Sequence, residues 1–180
     1  MNAKKMSLIL IVLLSLSVLA GCDKEEGDEY APRDVFVATK SYFTIDNVFD
    51  LINSFDHDVV KIQYAHFVST MSSDSLQYII DCLNTKSYTN DKEFWWTTGF
   101  LHYLTNQIHI TPCLFNMKNK SYQADWLNSM RDYKLEEYFP GYVIHFQVRE
   151  GTEKRWERKF KKYEFVEWVE LNYLREVFTF

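Results

Sequence analysis

The sequence predicts an α+β fold with a largely antiparallel sheet. Three features predict it: β-branched and aromatic runs of strand length, apolar stripes at helical spacing between them, and a regular alternation of the two along the chain. Strand and helix follow one another as β, α, β, α, β and then again as β, α, β, α, β. That is the order of βαβ units of ferredoxin-like type, and its recurrence raises a division into two related halves. His66-Phe67 and His145-Phe146 carry the comparison of the halves, each on a strand ahead of a helix that ends in Lys86-Ser87-Tyr88 or Lys161-Lys162-Tyr163.

The elements are read in order from Asp34. Val35 to Thr39 is a short apolar strand, and Thr44 caps a helix whose Ile45, Val48, Phe49, Ile52 and Phe55 share one face. Val59 to Thr70 is β-branched and aromatic enough to read as one strand. Ser73 is the expected N-cap of a helix with Leu76, Ile79, Ile80 and Leu83 inward. Phe94 to Leu104 has a capping-box look at Asn90 and Glu93, but Thr97, Thr98 and Gly99 favour a strand, which is the reading adopted. Gln107 to Phe115 alternates and reads as a half-buried strand. Ser121 opens a helix with Trp126, Leu127, Met130 and Tyr133, and Pro140-Gly141 ends the connection after it. Tyr142 to Val148 is a strand, Thr152 caps a short helix with Trp156, Phe160 and Tyr163 inward, and Phe165 to Leu174 closes as a strand. In that helix Glu153 lies in the first turn and Lys161 and Lys162 in the last, as a helix dipole favours.

Ahead of the domain, Lys4 and Lys5 precede an apolar run from Met6 to Ala20, which closes in Leu19-Ala20-Gly21-Cys22. These are the zones of an export signal. The run is shorter than the ~20 residues a spanning helix needs, carries Ser15 and Ser17, and leads straight into Asp23-Lys24-Glu25-Glu26. Its last four residues resemble the lipobox of bacterial lipoproteins. That resemblance implies cleavage after residue 21, a diacylglyceryl group on the Cys22 thiol, and an acylated, palmitate-type anchor that holds the chain on a membrane without spanning it. The expected division is therefore signal 1–21, acidic tether 22–33 and a single domain 34–180. Removing residues 1–21 removes Lys4 and Lys5 and no acidic residue, so the formal charge moves from −5 to −7. Such a balance disfavours nucleic acid and anionic lipid as partners. Cys82, on a predicted helix, and Cys113, on a predicted strand, are the thiols left to the domain, and no Cys/His spacing of a zinc site occurs.

Candidate sites are few. If Phe94 to Phe115 is a hairpin turning at Thr105-Asn106, His102 falls opposite His109 on one face, the makings of a metal site without a carboxylate. Exposed polar histidines are the simpler expectation, and neither metal nor cofactor is expected. His57 between Asp56 and Asp58 reads as a solvated turn. No Gly-x-Ser-x-Gly elbow and no Gly-rich phosphate loop is present, and five glycines leave little material for one. Among 12 Tyr, 14 Phe and 5 Trp, the pair Trp95-Trp96 is the candidate binding surface. On a strand at most one of the two joins the core, leaving the other on an exposed sheet surface to stack on a sugar ring or anchor an interface; a core rich in aromatics is the simpler expectation. Lys154, Arg155, Arg158, Lys159, Lys161 and Lys162 form the one basic concentration, read as a solvated helix face.

Two resemblances extend the reading. The lipobox with Asp23-Lys24-Glu25-Glu26-Gly27-Asp28-Glu29 is similar to small cell-envelope lipoproteins of the Bacteroidota, in which acids after the lipidated cysteine mark export to the surface; Lys24 interrupts that run. It implies an outer-membrane address on the periplasmic or surface face, and in that setting Asp74-Ser75-Leu76 matches an O-glycosylation tripeptide. Residues 142–173, ending Phe165-Val166-Glu167-Trp168-Val169-Glu170-Leu171-Asn172-Tyr173, resemble the end of a subtilase pro-domain, a ferredoxin-like inhibitor whose tail enters a protease; Leu171 stands where that family has proline. The expectation is a lipid-anchored, non-enzymatic binding or accessory module, bound to membrane through Cys22 and to a protein or glycan partner. A protease-inhibitor-like module is the alternative, and no catalytic residues are assigned.

Overall fold

The computed structural model describes residues 30–138 and 141–173; the expected export signal over 1–21, Cys22, most of the expected tether, Pro140 and the chain after Tyr173 lie outside the described residues. The fold is α+β, with four α-helices and two antiparallel sheets. Among the described residues no helix is long and apolar enough to cross a membrane.

The first sheet is assembled from the two ends of the chain. β1 (Tyr30–Thr39), α1 (Ile45–Ser54) and β2 (Asp58–Gln63) make one βαβ unit; β8 (Val143–Gln147), α4 (Glu153–Phe160) and β9 (Val166–Tyr173) make the other. They interleave. β8 lies between β2 and β1, and β1 between β8 and β9, so that with the short β6 (Leu114–Phe115) the order is β6-β2-β8-β1-β9. Every neighbouring pair is antiparallel, which makes β1 parallel to β2 and β8 parallel to β9. The ferredoxin-like unit is thus one unit shared by both ends, with residues 64–142 carried between β2 and β8. Its two halves are the βαβ units, and His66-Phe67 and His145-Phe146 are not counterparts. Phe67 opens β3 in the second sheet, whereas His145 sits in the middle of the first.

Besides β6, residues 64–138 carry the second sheet, in the order β4 (Thr98–Leu101), β5 (Ile108–Thr111), β3 (Phe67–Ser69), β7 (Leu135–Glu137), together with α2 (Leu76–Asn84) and α3 (Lys120–Asp132). Several expected boundaries move here for local reasons. The strand expected over Val59–Thr70 breaks at Tyr64, whose φ is +57°, and its two pieces enter different sheets. The strand expected over Gln107–Phe115 breaks at Pro112-Cys113, again sending its pieces to different sheets. Leu135–Glu137 was expected to be connection and is a strand, paired in register with β3.

The caps follow local hydrogen bonding. Thr44 caps α1 as expected, accepting from Asn47 N–H while the Asn47 side chain accepts from Thr44 N–H. Asn119, not Ser121, caps α3, its carboxamide oxygen accepting from Ser121 N–H at 3.0 Å. A short 3-10 turn, Ser73–Ser75, precedes α2 with no side-chain cap. The Thr152 hydroxyl turns back to the Arg149 carbonyl instead of capping α4.

One hydrophobic core joins both sheets to the helices. Val35, Val37, Ile62, Ile144, Phe146, Val169 and Leu171 supply it from the first sheet, Phe67, Ile108 and Ile110 from the second, with Trp126 of α3 fully buried between. Helix α1 is held at its ends by the inserted segment. Glu137 of β7 accepts from Ile45 N–H at the N-terminus, and Lys118 donates to the Ile52 and Phe55 carbonyls at the C-terminus. This places an acid and a base where the orphan backbone groups and the dipole call for them. The last turn of α1 has no base of its own.

Glu153 does similar work at the tether end. It is buried, and its carboxylate accepts from Arg33 N–H at 2.7 Å, where β1 kinks with φ +74°, and from Gly151 N–H at 3.1 Å. Burial works to raise its pKa, but the backbone donors win and hold it below the ordinary carboxylate value. Replacing Glu153 by Ala leaves those donors without a partner, so a loss of about 1–3 kcal/mol is expected. A urea unfolding midpoint that drops accordingly in Glu153→Ala, and less in Glu153→Gln, is the check.

Candidate functional site

The loop before β4 carries the main candidate. Phe94, Trp95 and Trp96 lie in neither helix nor strand, because the Asp91 carboxylate accepts from the backbone N–H groups of Glu93, Phe94 and Trp95 at 3.0, 2.9 and 2.8 Å and rolls the chain around itself. Those donors, Trp95 foremost, hold the Asp91 carboxyl below its ordinary pKa. The far end of the loop is pinned by Asn84, the last residue of α2, whose side chain accepts from Thr97 N–H at 2.8 Å and donates to the Thr97 carbonyl at 3.0 Å. Neither Trp95 nor Trp96 joins the core, and the strand expected to carry them begins only at Thr98. The pleat that would separate them is missing, and they are 45% and 55% exposed, beside Phe94 at 76%.

These rings rim a cleft of about 340 Å³ at the seam between the sheets. Gln63 and Tyr64 enter it from the end of β2, Thr98 from β4, and Thr111, Pro112 and Cys113 from the β5–β6 junction. That volume is at the lower end of the ~300–1,000 Å³ of small-ligand sites, which suits a single ring or side chain. The ammonium of Lys61 lies 4.4 Å from the Trp95 ring centroid, a cation–π contact. Burial pushes the Cys113 thiol up to about 11, which favours the protonated form. Cys82 and Cys113 are both free.

Lys61 belongs to the face of the first sheet turned away from the core. The register places Glu170, Phe36, His145 and Lys61 in one row across β9, β1, β8 and β2. The His145 ring lies against Phe36 at 4.4 Å, its Nε2 is 2.9 Å from an Asp34 carboxylate oxygen, and Asn172 donates to the other oxygen at 3.0 Å. The face continues to Trp168, 43% exposed on the edge strand.

A second cluster lies on the open face of the second sheet. The register pairs Phe100, not His102, with His109, since the hairpin turns through a longer loop than Thr105-Asn106 alone. His102 still comes near, with its ring 5.6 Å from that of His109. The partner the sequence does not announce is His66: its Nε2 and the Nδ1 of His109 share a hydrogen bond of 2.9 Å. Phe100 stacks on His109 at 4.9 Å, and Tyr138 lies 4.9 Å from His66. Among the described residues no three His, Cys, Asp or Glu groups are placed to hold a metal ion together. Desolvation lowers the pKa of His66, with a further contribution from His109; desolvation and then His102 lower that of His109. His57 sits against Trp156 at 4.1 Å, likewise lowered by burial and then by Lys159.

No protein-family model, curated protein or solved structure matches the chain.

Histidines with lowered folded pKa bind fewer protons when folded than when unfolded, so stability rises with pH across the window from those depressed values up to 6.5. The urea midpoint should therefore fall between about pH 7.5 and about pH 5.5, and His66→Gln should flatten the fall. A midpoint that rises on acidification would contradict the assignment.

Proposed function

We propose that the chain is a lipid-anchored, non-enzymatic binding module of the bacterial cell envelope, held on the outer membrane through Cys22 and binding its partner at the aromatic cleft. The observation that carries the proposal is the exposed Phe94-Trp95-Trp96 group, held outward by Asp91 and Asn84 around a cleft with Tyr64. A loop fixed by side-chain hydrogen bonds offers large rings at little ordering cost, the economy of binding surfaces that present aromatic anchors. Gln63, Thr98 and Thr111 add hydrogen-bonding groups among the rings. That mixture suits a sugar ring, whose apolar face stacks and whose hydroxyls bond.

The position of the cleft fits the address. β1 and β2 run in the same direction, and Gln63 lies level with Ala38 through Val143, eight residues along β1 from Tyr30. Because β1 kinks at Arg33, Tyr30 to Ala38 advances only as far as Tyr173 to Trp168 on β9, so the cleft is ~17 Å up the sheet from the end where the tether joins. The eight residues from Cys22 to Tyr30 reach at most ~26–29 Å; the cleft lies at the opposite end of the sheet from Tyr30, so on an upright domain the aromatic rings face away from the bilayer.

Two measurements test the proposal. Cys22→Ser should move the protein from the membrane to the soluble fraction. On an array of bacterial and host glycans, Trp95→Ala with Trp96→Ala should abolish retention while leaving the thermal midpoint almost unchanged, because exposed positions contribute within about 0.5 kcal/mol. A variant that binds as well as the parent, or an array that retains neither, removes the cleft as a glycan site.

A protease-inhibitor-like module is the second reading, favoured by β9. This strand forms the open edge of the first sheet, with Glu167, Trp168 and Glu170 exposed, and the chain continues beyond it. Titrating secreted subtilisin-class proteases with the purified protein should then give stoichiometric inhibition. Protease activity that stays constant in excess protein dismisses it.

A further inference from the structure

We propose that His66 and His109 bind a divalent transition-metal ion, with His102 or water completing its coordination. Two ring nitrogens, His66 Nε2 from the residue just before β3 and His109 Nδ1 from β5, approach to 2.9 Å. A zinc-sized ion bound at ~2.0–2.1 Å with near-tetrahedral angles holds two imidazole nitrogens ~3.2–3.4 Å apart. The pair therefore needs to open by only ~0.4 Å for the ion to replace the hydrogen bond. His66 lies in the connection between β2 and β3 and is only half-buried, so it is the ring able to move. His109 is buried and held by the Phe100 stack.

The third position has a candidate in place. His102 lies 5.6 Å from His109 between ring centroids, and its Nδ1 is already engaged with the backbone N–H and hydroxyl of Thr105, which leaves Nε2 as the nitrogen for an ion. As the side chains stand, three donors do not converge, so His102 must turn about its side-chain bonds or water must take its place. The nearby acid Glu137, which lines a cleft with His66, is already bonded to Ile45 N–H and the Tyr142 hydroxyl. The remaining donors are all imidazoles, a set that suits copper, nickel and zinc and not magnesium or calcium.

The proton count is simple. Of two neutral imidazoles joined by one hydrogen bond, the donor must move its proton to its other ring nitrogen, after which both lone pairs face the ion and no net proton leaves. The His109–Phe100 row lies one same-face step, ~7 Å, along the strands from Thr98 and Thr111, which line the aromatic cleft. An ion with open positions would thus sit at the border of that cleft.

The experiment is calorimetric titration of the purified protein, without a histidine tag, with Zn²⁺ and with Cu²⁺, and with Mg²⁺ as control. One equivalent of zinc or copper should bind, magnesium should not, and the Cu²⁺ complex should show coupling to at least two nitrogens by electron paramagnetic resonance. His66→Gln should weaken binding roughly tenfold or more with the thermal midpoint retained, which separates lost ligation from lost fold, and His102→Ala should weaken it less. Absence of a stoichiometric site, or a site unaffected by His66→Gln, overturns the proposal. Either result is independent of whether Trp95 and Trp96 bind a glycan.

Discussion

The fold depends on the insertion of β8 between β1 and β2. Until that strand is in place, β1 and β2 have no sheet in common, because both pair with β8 and not with each other. The pairing is distant in sequence: Tyr142 N–H donates to the Thr39 hydroxyl across 103 positions, and Thr39 N–H returns a bond to the Tyr142 carbonyl at 2.8 Å. Gly141 makes this approach with φ +98°, where a Cβ would run into the Thr39 carbonyl. Closing so long a loop before contacts repay it makes this a high-contact-order fold, and slow folding is the usual consequence.

Everything between β2 and β8 must leave and return at one end of the first sheet, and the second sheet is the structure that does so. It is more than a long loop, since it caps both ends of α1 through Glu137 and Lys118 and shares the core through Phe67 and Trp126. Glu137 also accepts from the Tyr142 hydroxyl; burial, and then that carboxylate, push the Tyr142 pKa far up. One carboxylate thus ties the inserted sheet, the first helix and the approach to β8. Damage at that point would reach all three.

The aromatic cleft exists because of this arrangement. Its walls come from the end of β2, from β4 and from the β5–β6 junction, places where the chain passes from one sheet to the other. Breaks at Tyr64 and Pro112-Cys113 are what bring those segments together. The same breaks set His66 beside His109, so the aromatic cleft and the histidine pair are two products of one seam.

Local chemistry was legible in the chain. Alternation of apolar runs gave the α+β class and most strand and helix positions, Thr44 declared its cap, and the aromatic pair Trp95-Trp96 stood out as a surface. Other features were illegible because their cause is non-local. Val59–Thr70 and Gln107–Phe115 are continuous in strand propensity, and only the competition between two sheets for their halves divides them. His66 and His109 lie 43 positions apart and meet through strand register, which no spacing reveals. The exposure of both tryptophans turned on Asp91, a polar residue whose three backbone bonds outweigh the strand propensity that follows it. By itself the sequence determined the fold class, the helix faces and the run Leu19-Ala20-Gly21-Cys22 that resembles a lipobox, since each depends on residues within a few positions of one another. Tertiary structure alone decided the interleaving of the two ends, the cleft at the seam and the histidine pair, since each depends on which distant strand wins a place in which sheet.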